Sequence, residues 1–278
     1  MHNYLIVDAF ARAPLEGNPV AVFFDAADLS AERMQRIAAE MNLSEVTFVL
    51  PAKGDGDAHI RIFTPVTELA FAGHPILGTA VALGQTWRQN HLRLETEMGI
   101  IALDLVIEND VVADVTMQQP IPTWERYVRS KELLAALGVE ESGLPVEAYR
   151  NGPRHVLVWL ETVAALTALQ PDHRALGTHP DMSAICLAKA DDHIRCRMFS
   201  PAYGVVEDAA TGSAAGPIAI HLARHGLTAY GDTVEILQGV EMGRPSLMRA
   251  TAESDEQTVH SVRVNGPGVI TAKGTLYL

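Results

Sequence analysis

The chain has 278 residues, 48% of them apolar and 20% charged, a balance that describes a folded globular protein rather than a disordered one. Its net charge of −13 argues against a nucleic-acid surface built on clustered Lys and Arg, yet leaves room for a small anion held by backbone N–H groups. Cys186 and Cys196 are too few for a disulfide framework and form no CxxC pair, and no run reaches the roughly 20 apolar residues of a membrane span.

The opening Met1-His-Asn-Tyr-Leu-Ile-Val-Asp8 carries no basic leader and no apolar run of export-signal length, so the expectation is a cytoplasmic protein with free thiols. Short β-branched runs bounded by Gly, Pro, Asn and Asp then predict strands over Tyr4–Phe10, Val20–Phe24, Val46–Leu50, His59–Phe63, Ile100–Ile107 and Val111–Met117. Between the second and third, Ser30 is a good N-cap, and Met34, Ile37, Ala38 and Met41 share one helical face. From Pro75 to Leu83 the chain is apolar on nearly every side, which places a helix inside the structure. The second half predicts strands at His155–Leu160, Ile185–Ala188, Ile194–Phe199, Val234–Gln238, Ser246–Ala250, Val259–Val264 and Val269–Ala272, with another all-apolar helix from Ala214 to Ala223.

These halves echo each other. Arg61-Ile-Phe-Thr-Pro65 is matched by Arg197-Met-Phe-Ser-Pro201, and each copy runs through a glycine loop into a buried helix, Ala72-Gly73-His74 in the first and Thr211-Gly212-Ser213 in the second. The second loop is three residues longer, and its Asp208 falls in the part with no counterpart in the first. The pattern predicts an α+β protein of two pseudo-symmetric domains, each a mostly antiparallel sheet rolled around a central helix. The expected units are 1–124 and 125–278, crossing near Gln118-Gln-Pro-Ile-Pro-Thr-Trp124, with the last strand able to return to the N-terminal unit.

Two such helix starts would face each other across the cleft between the domains. Free N–H groups there favour an anion, and Gly73 and Gly212 let the backbone approach it closely, so a carboxylate pocket needs no Lys or Arg. His74 lies ahead of Pro75, a residue suited to the first helical position, and Ser213 is an N-cap candidate. Glu45, at the start of the strand after the first helix, is unremarkable on composition. Other signals fail. His221 and His225 have i, i+4 spacing, but Leu222 stands where a zinc protease needs Glu and no third ligand is indicated; Gly212-Ser-Ala-Ala-Gly216 is neither GxGxxG nor a phosphate loop, and there is no GxSxG. Nothing supports a metal, nucleotide or flavin.

Asp8-Ala-Phe10, Gly17-Asn-Pro-Val-Ala21, Asn42-Leu-Ser-Glu45, Arg61-Ile-Phe-Thr-Pro65, Phe71-Ala-Gly-His-Pro75, Asn151-Gly-Pro-Arg-His155 and Asp208-Ala-Ala-Thr-Gly-Ser213 stand in one order along the whole chain. In that order they resemble the PhzF family. The resemblance implies a diaminopimelate-epimerase-like fold and a cofactor-free, homodimeric isomerase of phenazine biosynthesis. Its substrate would be an anionic cyclohexadiene amino acid with a hydroxyl, converted to an amino ketone. It makes Glu45 the acid/base, His74 and Asp208 its polar partners, and Gly73, Gly212 and Ser213 the carboxylate holders. Epimerases and proline racemases of this fold carry a Cys before each loop glycine; Ala72 and Thr211 stand there instead, which argues against two-thiol racemisation. An isomerase or epimerase acting on another small amino or hydroxy acid, or a non-catalytic ligand-binding relative, are the alternatives.

Overall fold

The computed structural model describes residues 1–255 and 258–278. The first half contains strands β1 (His2–Ala9), β2 (Asn18–Phe23), β3 (Glu45–Leu50), β4 (Ala58–Phe63), β5 (Glu68–Leu69), β6 (His91–Thr96), β7 (Gly99–Glu108) and β8 (Val111–Gln118), with helices α1 (Ala31–Met41) and α2 (Gly73–Trp87). Next come β9 (Thr123–Arg126), α3 (Ser130–Leu137), β10 (Glu147–Arg150), β11 (Arg154–Trp159), α4 (Val163–Thr167), α5 (His173–Leu176), β12 (Ser183–Lys189) and β13 (Ile194–Ser200). The chain ends with β14 (Val205–Asp208), α6 (Gly212–Arg224), β15 (Thr233–Gln238), β16 (Ser246–Asp255), β17 (Thr258–Gly266) and β18 (Gly268–Leu276).

Parallel neighbours require a crossover, and the helices supply it. β2 runs parallel to β3 across α1, and β4 parallel to β6 across α2. In the second half β11 runs parallel to β12 across α4 and α5, and β13 parallel to β15 across α6. All other ladders among the described residues are antiparallel, so each half repeats one scheme. The halves are sewn together at two places. β17 pairs with β8, and β18 returns to pair with β1 along its length, Leu276 opposite His2 and Gly268 opposite Ala9.

Local chemistry explains the helices. Ser30 accepts from the Arg33 N–H at 3.2 Å and opens α1, whose Met34, Ile37 and Ala38 bury against β3 and β4. In α2 every residue from Gly73 to Gly84 is buried, and in α6 every residue from Gly212 to Leu222. Such helices gain little from intrinsic propensity. They are held by the strands around them: β1, β2, β8 and β18 pack on α2, and β11, β15, β16 and β17 on α6. No helix among the described residues is long and apolar enough to cross a membrane.

The duplication is visible at side-chain level. Arg61 makes two hydrogen bonds of 2.6 Å to Glu68 and lies 5.1 Å from the Phe63 ring centre; Arg197 makes two of 2.8 and 2.9 Å to Glu207 and lies 4.9 Å from the Phe199 ring centre. Register fixes the alignment. Leu69 of β5 faces Ile62 of β4, and Asp208 of β14 faces Met198 of β13. Asp208 is therefore the counterpart of Leu69, not part of an insertion. The three extra residues of the second loop fall between Pro201 and Glu207, where the chain makes the 3-10 turn Pro201–Tyr203, which corrects the sequence expectation.

Candidate active site

α2 and α6 start against each other. A Cβ on Gly73 would overlap the backbone of Gly212 and the Ser213 nitrogen, and one on Gly212 would lie 3.0 Å from the His74 nitrogen and 2.8 Å from the Phe10 ring. The glycines thus let one helix start touch the other, rather than serving only a ligand. The N-caps are Ala72 and Thr211, and neither side chain bonds its own helix. Ala72 has no polar atom. The Thr211 hydroxyl is committed elsewhere, donating to Asp208 Oδ2 at 2.7 Å while accepting from Gln238 at 3.0 Å. Ser213 and His74 are accordingly second helical residues, and Pro75 is the third, not caps or first positions as the sequence suggested. The first N–H groups of both helices carry no side-chain cap and keep their partial positive charge.

Beside these starts lies a small cleft. Glu45, Gly73, His74, Asp208, Gly212 and Ser213 all line it, joined by Leu69, His155 and Ser183. The repeat pairs these residues. The ladders match Glu45 with Ser183, because Val46 opposes Phe63 in one half and Ala184 opposes Phe199 in the other. Leu69 matches Asp208, Gly73 matches Gly212, and His74 matches Ser213. A cleft built by duplication has lost its chemical symmetry: where one half offers Glu45, the other offers a hydroxyl.

His74 Nε2 lies 3.3 Å from Glu45 Oε2, with the side chains 3% and 13% exposed. The pair is out of line for a hydrogen bond, and both atoms are buried without a hydrogen-bond partner. Burial, and next the nearby Asp208 carboxylate, push the Glu45 carboxyl well above its ordinary range. Burial pulls the His74 imidazole down to about 3, so it is neutral in the working range. Asp208 is raised by burial, against which donors from Thr211, Asn18 and Ser44 hold its charge. Its oxygens are well occupied: Oδ1 accepts from Asn18 at 2.7 Å and Ser44 at 3.0 Å, and Oδ2 from Thr211 at 2.7 Å.

Several residues of this network had no role assigned from sequence. Asn18 joins Asp208 to His74; Ser44 adjoins Glu45; His155 Nε2 lies 3.1 Å from the Ser213 hydroxyl; and Asn151 donates to the Ser213 carbonyl at 2.9 Å. Burial lowers the His155 imidazole to about 3, with Arg150 adding a smaller push in the same direction. Three of the motifs quoted above contain these four residues, so position in a motif was the signal available.

Elsewhere, His221 and His225 do acquire a third group, the Glu147 carboxylate, 3.2 Å from each. Arg224 occupies the same oxygen at 2.5 Å, so a cation already neutralises it. Burial would raise Glu147, and the hydrogen bonds from Arg224 and His225 reverse that, to about 2. Cys186 and Cys196 are free, fully buried on β12 and β13, and absent from the cleft lining.

A family model described as phenazine biosynthesis-like protein (PhzC-PhzF) matches residues 7–274. The chain belongs to the PhzC-PhzF family. Over all 278 residues of both chains it is 63% identical to the trans-2,3-dihydro-3-hydroxyanthranilate isomerase of Pseudomonas aeruginosa, and 62% to that of Pseudomonas chlororaphis. Among solved structures, a PhzF-family phenazine biosynthesis protein from Bacillus anthracis superposes with TM-score 0.86 at 25% identity, covering 100% of this chain and 99% of that one. A hydroxyproline epimerase from Agrobacterium vitis superposes with TM-score 0.70 at 14% identity, covering 98% and 90%, which places this PhzC-PhzF member in the epimerase-like α+β fold.

Proposed function

We propose that this chain is an isomerase of phenazine biosynthesis that converts trans-2,3-dihydro-3-hydroxyanthranilate to its amino-ketone isomer, with Glu45 as the acid/base. Identity of 63% along the full length to an enzyme of that name supports the reaction. The observation that carries the mechanism is local: Glu45 presents an unpartnered, buried Oε2 to the cleft, and its counterpart in the other half is Ser183. One face of a bound ring meets an acid/base, and the other meets a hydroxyl.

The chemistry follows from a carboxyl that holds its proton. One Glu45 oxygen gives a proton to the ring carbon bearing the carboxylate, while the other takes the proton from the carbon bearing the hydroxyl. The electrons of that C–H bond form a double bond to the neighbouring ring carbon, the double bond already there shifts one place, and the pair of the second ring double bond forms the new C–H bond, so two ring double bonds remain. No oxidant or reductant is needed, and Glu45 ends as it began. The product enol then tautomerises to the ketone. A carboxyl raised above its ordinary range by burial is suited to this relay, since it holds a proton more readily than an exposed carboxyl does. The uncapped N–H groups of Gly73 and Gly212, with the Ser213 hydroxyl, hold the substrate carboxylate. Asp208 faces the ammonium group, and His74 the hydroxyl.

The 1–124 and 125–278 halves would each supply one side of this cleft, in a cytoplasmic homodimer of the kind the family resemblance implies. The test is to mix purified protein with the dihydro-hydroxyanthranilate, follow loss of the conjugated-diene absorbance, and identify the product by NMR. Conversion to the amino ketone is expected. A folded protein that leaves the diene untouched overturns the assignment in favour of another small acid as substrate, or of a binding role alone.

A further inference from the structure

The structure assigns to Asn18 the task of fixing the proton of His74 on Nε2, the nitrogen that faces Glu45 and the cleft. A neutral imidazole carries one N–H, and the partner of the other nitrogen decides where it sits. Asn18, 1% exposed at the start of β2, directs its Nδ2 at three groups: Asp208 Oδ1 at 2.7 Å, the Ala210 carbonyl at 3.0 Å and His74 Nδ1 at 3.2 Å. The first two are acceptors only, so this end of the amide is the NH2; rotating it would set the amide oxygen against a carboxylate and a carbonyl. An NH2 group donates and does not accept. A proton on His74 Nδ1 would therefore point at an amide nitrogen that offers no acceptor, in a buried site. Nδ1 must offer its lone pair, and the proton goes to Nε2.

This rests on the isomerase reading above and deepens it. With its proton on Nε2, His74 points an unengaged donor into the cleft, its nitrogen 3.3 Å from Glu45 Oε2. With the proton on Nδ1, a lone pair would face that carboxyl and the developing enol oxygen. Asn18 thus couples Asp208, which holds its NH2 in place, to the donor His74 brings to the reaction. Asn18 is a positioning residue: it acts through His74.

The experiment reads the tautomer directly. Protein labelled with 15N-histidine is examined at neutral pH by long-range 15N–1H correlation, and the His74 ring is assigned by its loss in His74→Asn. The expected wild-type pattern is a protonated Nε2 and an unprotonated Nδ1. Asn18→Leu, of similar size but no donor, should release a mixture of tautomers and lower kcat by about 10-fold or more while KM changes by less than about 3-fold. A wild-type His74 protonated on Nδ1 overturns the inference, as does an Asn18→Leu protein that keeps both tautomer and kcat. If a variant does not fold, the wild-type tautomer still decides. The spectrum needs no substrate: an Nε2-protonated His74 in a protein inert towards the diene defeats only the functional reading, and an Nδ1-protonated His74 in an active enzyme defeats only this one.

Discussion

Glu45 and Ser183 occupy equivalent positions at the starts of β3 and β12, and both line the same cleft. Gene-duplicated sites that work on both faces of a carbon need matched groups on the two sides. Here the match is kept in the backbone, at Gly73 and Gly212, and abandoned in the reactive side chains. On the proposed reading, fold and chemistry have separated: the helix starts would still make a two-sided anion pocket, while proton transfer would belong to one half.

Removing the hydroxyl from that pocket should weaken binding more than turnover. Ser213→Ala deletes a donor to the substrate carboxylate, and a hydrogen bond to a charged group is worth about 1.5–3 kcal/mol. Titration with an aromatic analogue such as 3-hydroxyanthranilate should show affinity reduced by about 10-fold or more. An unchanged affinity would remove Ser213 from the carboxylate site.

Gly73→Ala tests whether the two helix starts must touch. The added methyl meets backbone of Gly212 and Ser213, which cannot swing aside as a side-chain end would. Stability should fall by about 2–3 kcal/mol, measured by urea unfolding, with activity lost in whatever remains folded. A stable, active variant would contradict the packing described.

The paired arginines should differ in worth. Arg197 is 9% exposed, bridges Glu207, and donates to the carbonyls of Leu166, Thr167 and Leu169; Arg61 is 24% exposed and pairs with Glu68. Arg197→Met leaves a partly buried carboxylate and three carbonyls without their donor, and should cost about 2–4 kcal/mol. Arg61→Met, in wetter surroundings, should cost roughly half that or less. Equal losses would show that burial does not set the difference.

Acid sensitivity should come partly from buried neutral histidines. His74 and His155 are held down to about 3 in the folded protein, whereas the unfolded chain binds these protons near pH 6.5. Below that pH the unfolded state takes up more protons, so stability falls as pH drops, by up to about 1.4 kcal/mol per unit for each histidine, until the folded values are reached. His155→Gln should flatten the slope between pH 6.5 and 5 in urea unfolding. An identical slope in the variant would assign the sensitivity to other groups.

Much of this architecture was legible in the sequence because it rests on strong local signals. Pro75–Leu83 and Ala214–Ala223 are too apolar to lie anywhere but inside, and Ser30 caps α1 as its hydroxyl suggests. The Arg61 and Arg197 motifs exposed the duplication. What escaped lacked such signals. β6, His91-Leu-Arg-Leu-Glu-Thr96, alternates over only a few residues, β9 and β10 are four-residue strands that pair with each other across the sheet, and α4 and α5 are too short to show a helical period. The placement of Asp208 was misread because sequence spacing does not say where extra residues go; ladder register does. Asn18 and His155 were invisible as network members because their partners lie 190 and 58 residues away.

The central claim is that one carboxyl, Glu45, carries the proton. The measurement closest to it is the rate of diene loss for Glu45→Gln beside wild type, on protein shown to be folded and to bind the aromatic analogue. The amide keeps the size and loses the exchangeable acid proton, so turnover should fall by at least about 100-fold with analogue affinity little changed. A Glu45→Gln protein that converts the substrate at the wild-type rate would contradict the account.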